Sequence, residues 1–75
     1  MKYQLKVYLC WCIAEDDSEH GYAIIAKCET QARSIIMYAY PATKACTITE
    51  ATETTKSWKS ALHEMYEKQN AILGL

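Results

Sequence analysis

Four cysteines, two histidines and a cluster of carboxylates carry whatever metal, redox or nucleophilic chemistry this 75-residue sequence can perform. Cys10 and Cys12 form a C-x-C pair. On an extended strand such a spacing puts both side chains on one face, where two thiolates can join a soft metal such as Zn or Cu(I). A structural zinc site needs four ligands. The strand register read below sends Cys28 and Cys46 to the opposite face, so the four thiols do not converge and no metal or other cofactor is expected. Side chains two apart on one strand also run parallel and bridge poorly. All four cysteines are therefore read as reduced thiols, packed as small apolar groups. Cys28 falls at a helix N-terminus, a position that can lower a thiol pKa, but no His, Asn or Asp is placed beside it. Glu15, Asp16, Asp17, Glu19 and His20 offer five potential ligands in one loop, without the D-x-D-x-D-G spacing of a calcium site. They are read as a solvated turn. His63 stands four residues from both Lys59 and Glu67, which suits a charged row on an exposed helix face.

Signatures of catalysis are missing. There is no glycine-rich phosphate loop, no G-x-S-x-G and no H-E-x-x-H, and so short a chain leaves little room for a ligand pocket of about 300–1,000 Å³. An enzyme is not expected. The formal net charge is −1, the basic residues are scattered and the longest loop is acidic, which argues against nucleic acid or an anionic membrane as partner. No window approaches the ~20 apolar residues of a membrane span, and the N-terminal apolar run is interrupted by Lys6 and alternates like a strand rather than a secretory signal. A cytoplasmic location is expected.

The elements that would position these residues begin with Tyr3–Ala14. Leu5, Val7, Leu9, Trp11 and Ile13 alternate there with Gln4, Lys6, Tyr8, Cys10 and Cys12, predicting one long strand with the first set facing the core. Glu15–Gly21 reads as a hairpin loop. Tyr22–Lys27 is a second, antiparallel strand with Tyr22, Ile24 and Ala26 inward, a register that sends Lys27 to solvent. Ala32, Ile35, Ile36 and Ala39 predict a helix over Glu29–Tyr40. Cys28 or Thr30 is its N-cap, with Gln31 placed as in a capping box, and Pro41 is its stop. Lys44–Ala51 is a third strand with Cys46 and Ile48 inward. Thr52–Lys56 is a polar connector, and Ser57–Ile72 a final amphipathic helix ending at Gly74.

The predicted architecture is one α+β domain over residues 1–75, in the order β-β-α-β-α. A right-handed crossover closes a three-stranded antiparallel sheet in the order 2-1-3, a split βαβ unit equal to half of a ferredoxin-like sheet. The first helix is expected over Leu5, Val7, Leu9 and Trp11. The last helix either packs beside it or crosses to the other face, and if it does neither, a second copy or another protein covers that face.

Six tyrosines and two tryptophans are many for a chain of this size. Aromatic side chains with a polar tip favour interfaces, so Tyr8, Tyr38, Tyr40, Trp58 and Tyr66 are the candidates for contact with a protein partner, a second copy of the chain included. Tyr8 on an open sheet could also stack a base, but the aromatic RNA-binding motif of such sheets is missing. The strand and C-E-T-Q-A-R-S-I-I helix of Tyr22–Tyr40 resemble a strand-to-helix unit of small phage and mobile-element proteins. In size and element order the chain is similar to phage-encoded inhibitors of bacterial defence, anti-CRISPR proteins among them. That resemblance covers the β-β-α-β part, about fifty residues, and rests on layout. It implies steric occlusion of a host protein without catalysis. A thiol-based metal or redox protein using Cys10 and Cys12 is the alternative.

Overall fold

The strand at the centre, β1 (Lys6–Ala14), is apolar on both faces, and the other elements are arranged to cover it. The computed structural model describes residues 3–75. A short turn, Glu15–Ser18, leads from β1 into β2 (Glu19–Ala26). Asp17 adopts the left-handed backbone there (φ 67°), and the Asp17 N–H bonds the Ala14 C=O while the Ala14 N–H bonds the Ser18 C=O. The loop is shorter than Glu15–Gly21, because Glu19, His20 and Gly21 join the strand. A third strand, β3 (Thr43–Glu50), pairs with the opposite edge of β1. The sheet is antiparallel throughout, in the order β2-β1-β3, as the sequence predicts.

The helix α1 (Glu29–Ala39) buries Ala32, Ile35 and Ile36, the expected stripe. Cys28 is its N-cap, in extended backbone and without a side-chain capping bond. Gln31 reaches back beyond the cap, its Oε1 accepting the Lys27 N–H at 2.6 Å. The C-terminal segment holds two helices rather than one, α2 (Thr52–Trp58) and α3 (Leu62–Leu73). The connector is helical because β3 ends beside Val7, whose backbone groups still need partners. The Val7 C=O accepts the Ala51 N–H, and the Val7 N–H donates to Thr55 Oγ1 at 2.9 Å. A turn at Lys59–Ala61, closed by the Ala61 N–H on the Trp58 C=O, then redirects the chain. Gly74 ends α3 in left-handed backbone (φ 79°), as its position in the sequence predicts.

Two clusters make up the core. In the first, α1 covers Tyr8, Cys10, Cys12, Ile24 and Ala26. In the second, Leu62 and Tyr66 of α3 cover Leu5, Val7 and Ile25 on the opposite sheet face. The last helix therefore takes the second of the two options left open. The face assignment of β1 is corrected, since α1 lies over Tyr8, Cys10 and Cys12 and not over Leu5, Val7, Leu9 and Trp11. The inward residues of β2 and β3 are the expected ones, but they align with the even positions of β1: Tyr22 and Ile48 flank Cys10, and Ile24 lies across from Tyr8. Five residues separate the last paired positions, Ile13 and Glu19, and an odd number joins positions of equal parity, so the apolar set of β2 falls on the even side of β1.

The rest of α3 runs along the free edge of β2. The Gln69 side-chain amide brackets Ile25, accepting its N–H at 2.8 Å and donating to its C=O at 2.9 Å. Leu73 packs against the first cluster, and the Gly74 C=O accepts the Tyr38 hydroxyl. Among the described residues, no helix is long and apolar enough to cross a membrane.

Candidate interaction face and thiol cluster

Cys10 and Cys12 are both buried under α1. Cys12 lies directly across from Cys46, with the two sulfurs 3.1 Å apart. Cys46 thus shares the face of Cys10 and Cys12, correcting the placement expected from sequence; its inward direction on β3 was right and the face of β1 was not. Burial, then the neighbouring Cys46, pushes the Cys10 thiol up to about 11. Burial, then a hydrogen bond with Cys46, pushes Cys12 up to about 12. Thiols held protonated in this way are poor nucleophiles. Cys28 stands exposed at the start of α1. Among the described residues, no group of three or more His, Cys, Asp or Glu side chains is placed to hold a metal ion.

A reactivity order follows. With iodoacetamide at pH 8 on the native protein, Cys28 is expected to be alkylated first, and Cys10 and Cys12 at least ~100-fold more slowly, because burial and a raised pKa act together. Peptide mapping over time measures this. Fast labelling of Cys10 or Cys12 would show that α1 opens readily.

The acidic turn uses its charges internally. Asp17 pairs with Lys44, Asp16 accepts from the Ser18 N–H and hydroxyl, and His20 Nε2 lies 2.8 Å from Ser18 Oγ. The bonds from Ser18 hold the Asp16 carboxyl below its ordinary pKa.

Of the five aromatic candidates, two are corrected. Tyr8 and Tyr66 are core residues, Tyr8 beneath α1 and Tyr66 against Leu5 and Val7 with its hydroxyl accepting from Gln31 Nε2 at 2.7 Å. Tyr40 is half-buried, stacked on Tyr22 with centroids 4.1 Å apart. Trp58 is partly exposed and, with Tyr40, Met65 and Ile72, lines a groove along the β2 edge. Tyr38 is exposed.

The residues missed lie on the half of the outer sheet face that α3 leaves open. Leu9 is 50% exposed and Trp11 54% exposed, and with Gly21, Ala23, Thr47 and Thr49 they line a shallow depression. Trp11 is exposed yet held. Its ring lies over Gly21, where an added Cβ would stand 3.2 Å from it, and its Nε1–H donates to Glu19 Oε1 at 3.0 Å. A large aromatic across from a strand glycine covers backbone that glycine leaves bare. A signal for this existed: Thr47 and Thr49 put polar side chains on the Trp11 face of β3, and Gly21 offers nothing to pack there.

The fold and this face define a small α+β domain, a split βαβ sheet with one face closed and the other half open. Comparison with protein-family models, curated proteins and solved structures finds no match to the chain.

Proposed function

We propose that the protein is a non-enzymatic binding module that docks a protein partner on the open half of its outer sheet face, with Trp11 as anchor. The observation that carries this reading is the fixed exposure of Trp11, whose ring is seated on Gly21 and whose N–H is tied to Glu19. A large aromatic held in one orientation before contact loses little entropy on binding, and such residues dominate interface energetics. Leu9 and Ala23 extend the apolar area, Thr47 and Thr49 offer hydroxyls, and the Glu19 carboxylate sits at the rim. The depression is lined by no Lys, Arg, His, Asp or Glu. That composition suits a protein surface better than a phosphate backbone, and supports binding rather than catalysis. Steric inhibition, the mode implied by the likeness to phage anti-defence proteins, is one form of this activity. The reading goes with a cytoplasmic location, where the resting redox poise favours free thiols, as all four cysteines are.

Trp11→Ala is expected to weaken partner binding ~30-fold or more, the level of an interface hot spot, while shifting stability by no more than about 1 kcal/mol. Quantitative affinity capture with wild-type and Trp11→Ala protein, followed by titration of the recovered partner, measures both affinities. Sedimentation of the same two proteins shows whether the partner is a second copy. Unchanged binding by Trp11→Ala, with loss instead in Tyr38→Ala or Trp58→Ala, would move the interface elsewhere.

A further inference from the structure

We propose that Cys12 and Cys46 are a site of reversible oxidation, closing to a cross-strand disulfide by exchange with a low-molecular-weight disulfide of the glutathione type. Their sulfurs already lie 3.1 Å apart across adjacent strands. The ladder places them favourably. The Val7 C=O accepts from Ala51 of the chain continuing β3, so the odd residues of β1 turn their backbone groups toward β3. The even ones turn them toward β2, and Cys12 and Cys46 form a non-hydrogen-bonded pair. Three further bonds agree: the Cys46 C=O accepts from Arg33 Nη1 at 3.3 Å on the outer side of β3, and Ile25, across from Val7, directs both backbone groups away from β1 to Gln69. In such pairs the Cα atoms come within ~4.5 Å, inside the range that a disulfide spans.

Access decides the order of steps. Cys46 is partly exposed and Cys12 is not. The Cys46 thiolate attacks one sulfur of glutathione disulfide, that S–S bond breaks, and one glutathione leaves as a thiolate that takes a proton. Cys12 gives its proton to water and attacks the Cys46 sulfur of the mixed disulfide, releasing the second glutathione. Two protein thiols and one glutathione disulfide become one protein disulfide and two glutathiones, and excess glutathione reverses both steps. Burial of the Cys12 thiol makes the closing step slow, so the pair responds to a sustained change in redox poise.

The bridge joins positions 34 apart in sequence. Closing a loop of that size restrains the unfolded chain enough to shift the unfolding equilibrium on the order of a few hundred-fold, and the melting temperature by roughly 15–30 °C.

The test incubates the reduced full-length protein with glutathione at graded oxidised-to-reduced ratios, quenches with iodoacetamide after unfolding, and reads intact mass and peptide map. The expected product is a monomer two hydrogens lighter, with Cys12 linked to Cys46, a raised melting temperature, and full return on dithiothreitol treatment. A Cys28→Ser protein behaves the same. Cys12→Ala stops at a glutathione adduct on Cys46. The wild-type peptide map decides the matter even where that variant folds poorly. A Cys10–Cys46 link, intermolecular bridges through Cys28 alone, or no intramolecular bridge at any ratio would each overturn the proposal.

Discussion

Replacing Ile36 by Ala is expected to cost about 3–4 kcal/mol, a third or more of the chain's stability. Ile36 is fully buried at the centre of the contact between α1 and the sheet. Truncation removes its transfer free energy and leaves a void that a well-packed layer closes only in part; such changes cost ~2–5 kcal/mol. A chain of this length has roughly 4–11 kcal/mol in total, and buries too small a fraction of its surface to absorb the loss. Urea unfolding followed by circular dichroism should show a midpoint lowered by a third or more with an unchanged slope. Ile72→Ala, at a side chain 84% exposed, is the control and should move stability by less than about 0.5 kcal/mol. Leu9→Ala separates the two possible faces of β1. With α1 on the Tyr8 and Cys10 side, its effect stays small; were α1 on the Leu9 side, it would match Ile36→Ala.

The strands, the first helix and the sheet order were legible because each rests on a local pattern. Alternation marks Leu5 to Ile13, threes and fours mark Ala32 to Ile36, and Pro41 and Gly74 punctuate. What alternation cannot supply is how the faces of two strands match. Tyr22, Ile24, Ala26, Cys46 and Ile48 point inward as read, but whether inward means the Val7 side or the Cys10 side of β1 depends on one residue of loop length. With apolar side chains on both sides of β1, hydrophobicity gives no vote. The break in the last helix was hidden for another reason. It is imposed by the orphaned backbone of Val7, which Ala51 and Thr55 satisfy from 44 and 48 positions away, and no local window contains that demand.

The candidate site inherits the same inversion. Trp11 and Leu9 were assigned to the core by the alternation that correctly grouped them with Val7, and Tyr8 was assigned to the surface. Face sharing within β1 was right; covering is only half complete, because α3 lies over Leu5 and Val7 and leaves the face before reaching Leu9. The thiol pair was misread by one step of the same logic. Cys10 and Cys12 attract notice as neighbours in sequence, whereas the contact that matters is made across the ladder, between Cys12 and Cys46.

Gln69→Leu is expected to cost about 2–3 kcal/mol although it keeps the volume of the side chain and adds apolar surface. Ile25 is buried, and both of its outward backbone groups end on the Gln69 amide. Leucine leaves an N–H and a C=O facing α3 with no partner, and each buried unsatisfied group costs about 1–3 kcal/mol, part of which water recovers at the sheet edge. Hydrogen exchange gives the local readout: the Ile25 amide, protected in the wild type, should exchange far faster in Gln69→Leu, while the Tyr22 and Ile24 amides, directed into the β1–β2 ladder, keep their protection. Gln69→Glu tests the donor half alone. The new carboxylate still accepts the Ile25 N–H but opposes the Ile25 C=O, so the site favours the protonated acid, which can donate. Its folded-state pKa is thereby raised above the unfolded value of about 4.3. A raised pKa contributes stability below the unfolded pKa and loses it as pH rises toward the folded one. Relative to wild type at each pH, Gln69→Glu should therefore be closest to neutral near pH 4 and most destabilised at pH 7. A penalty equal at the two pH values, with the Ile25 amide still protected in Gln69→Leu, would mean that α3 is held on β2 by Leu62, Tyr66 and Leu73 without the amide bracket.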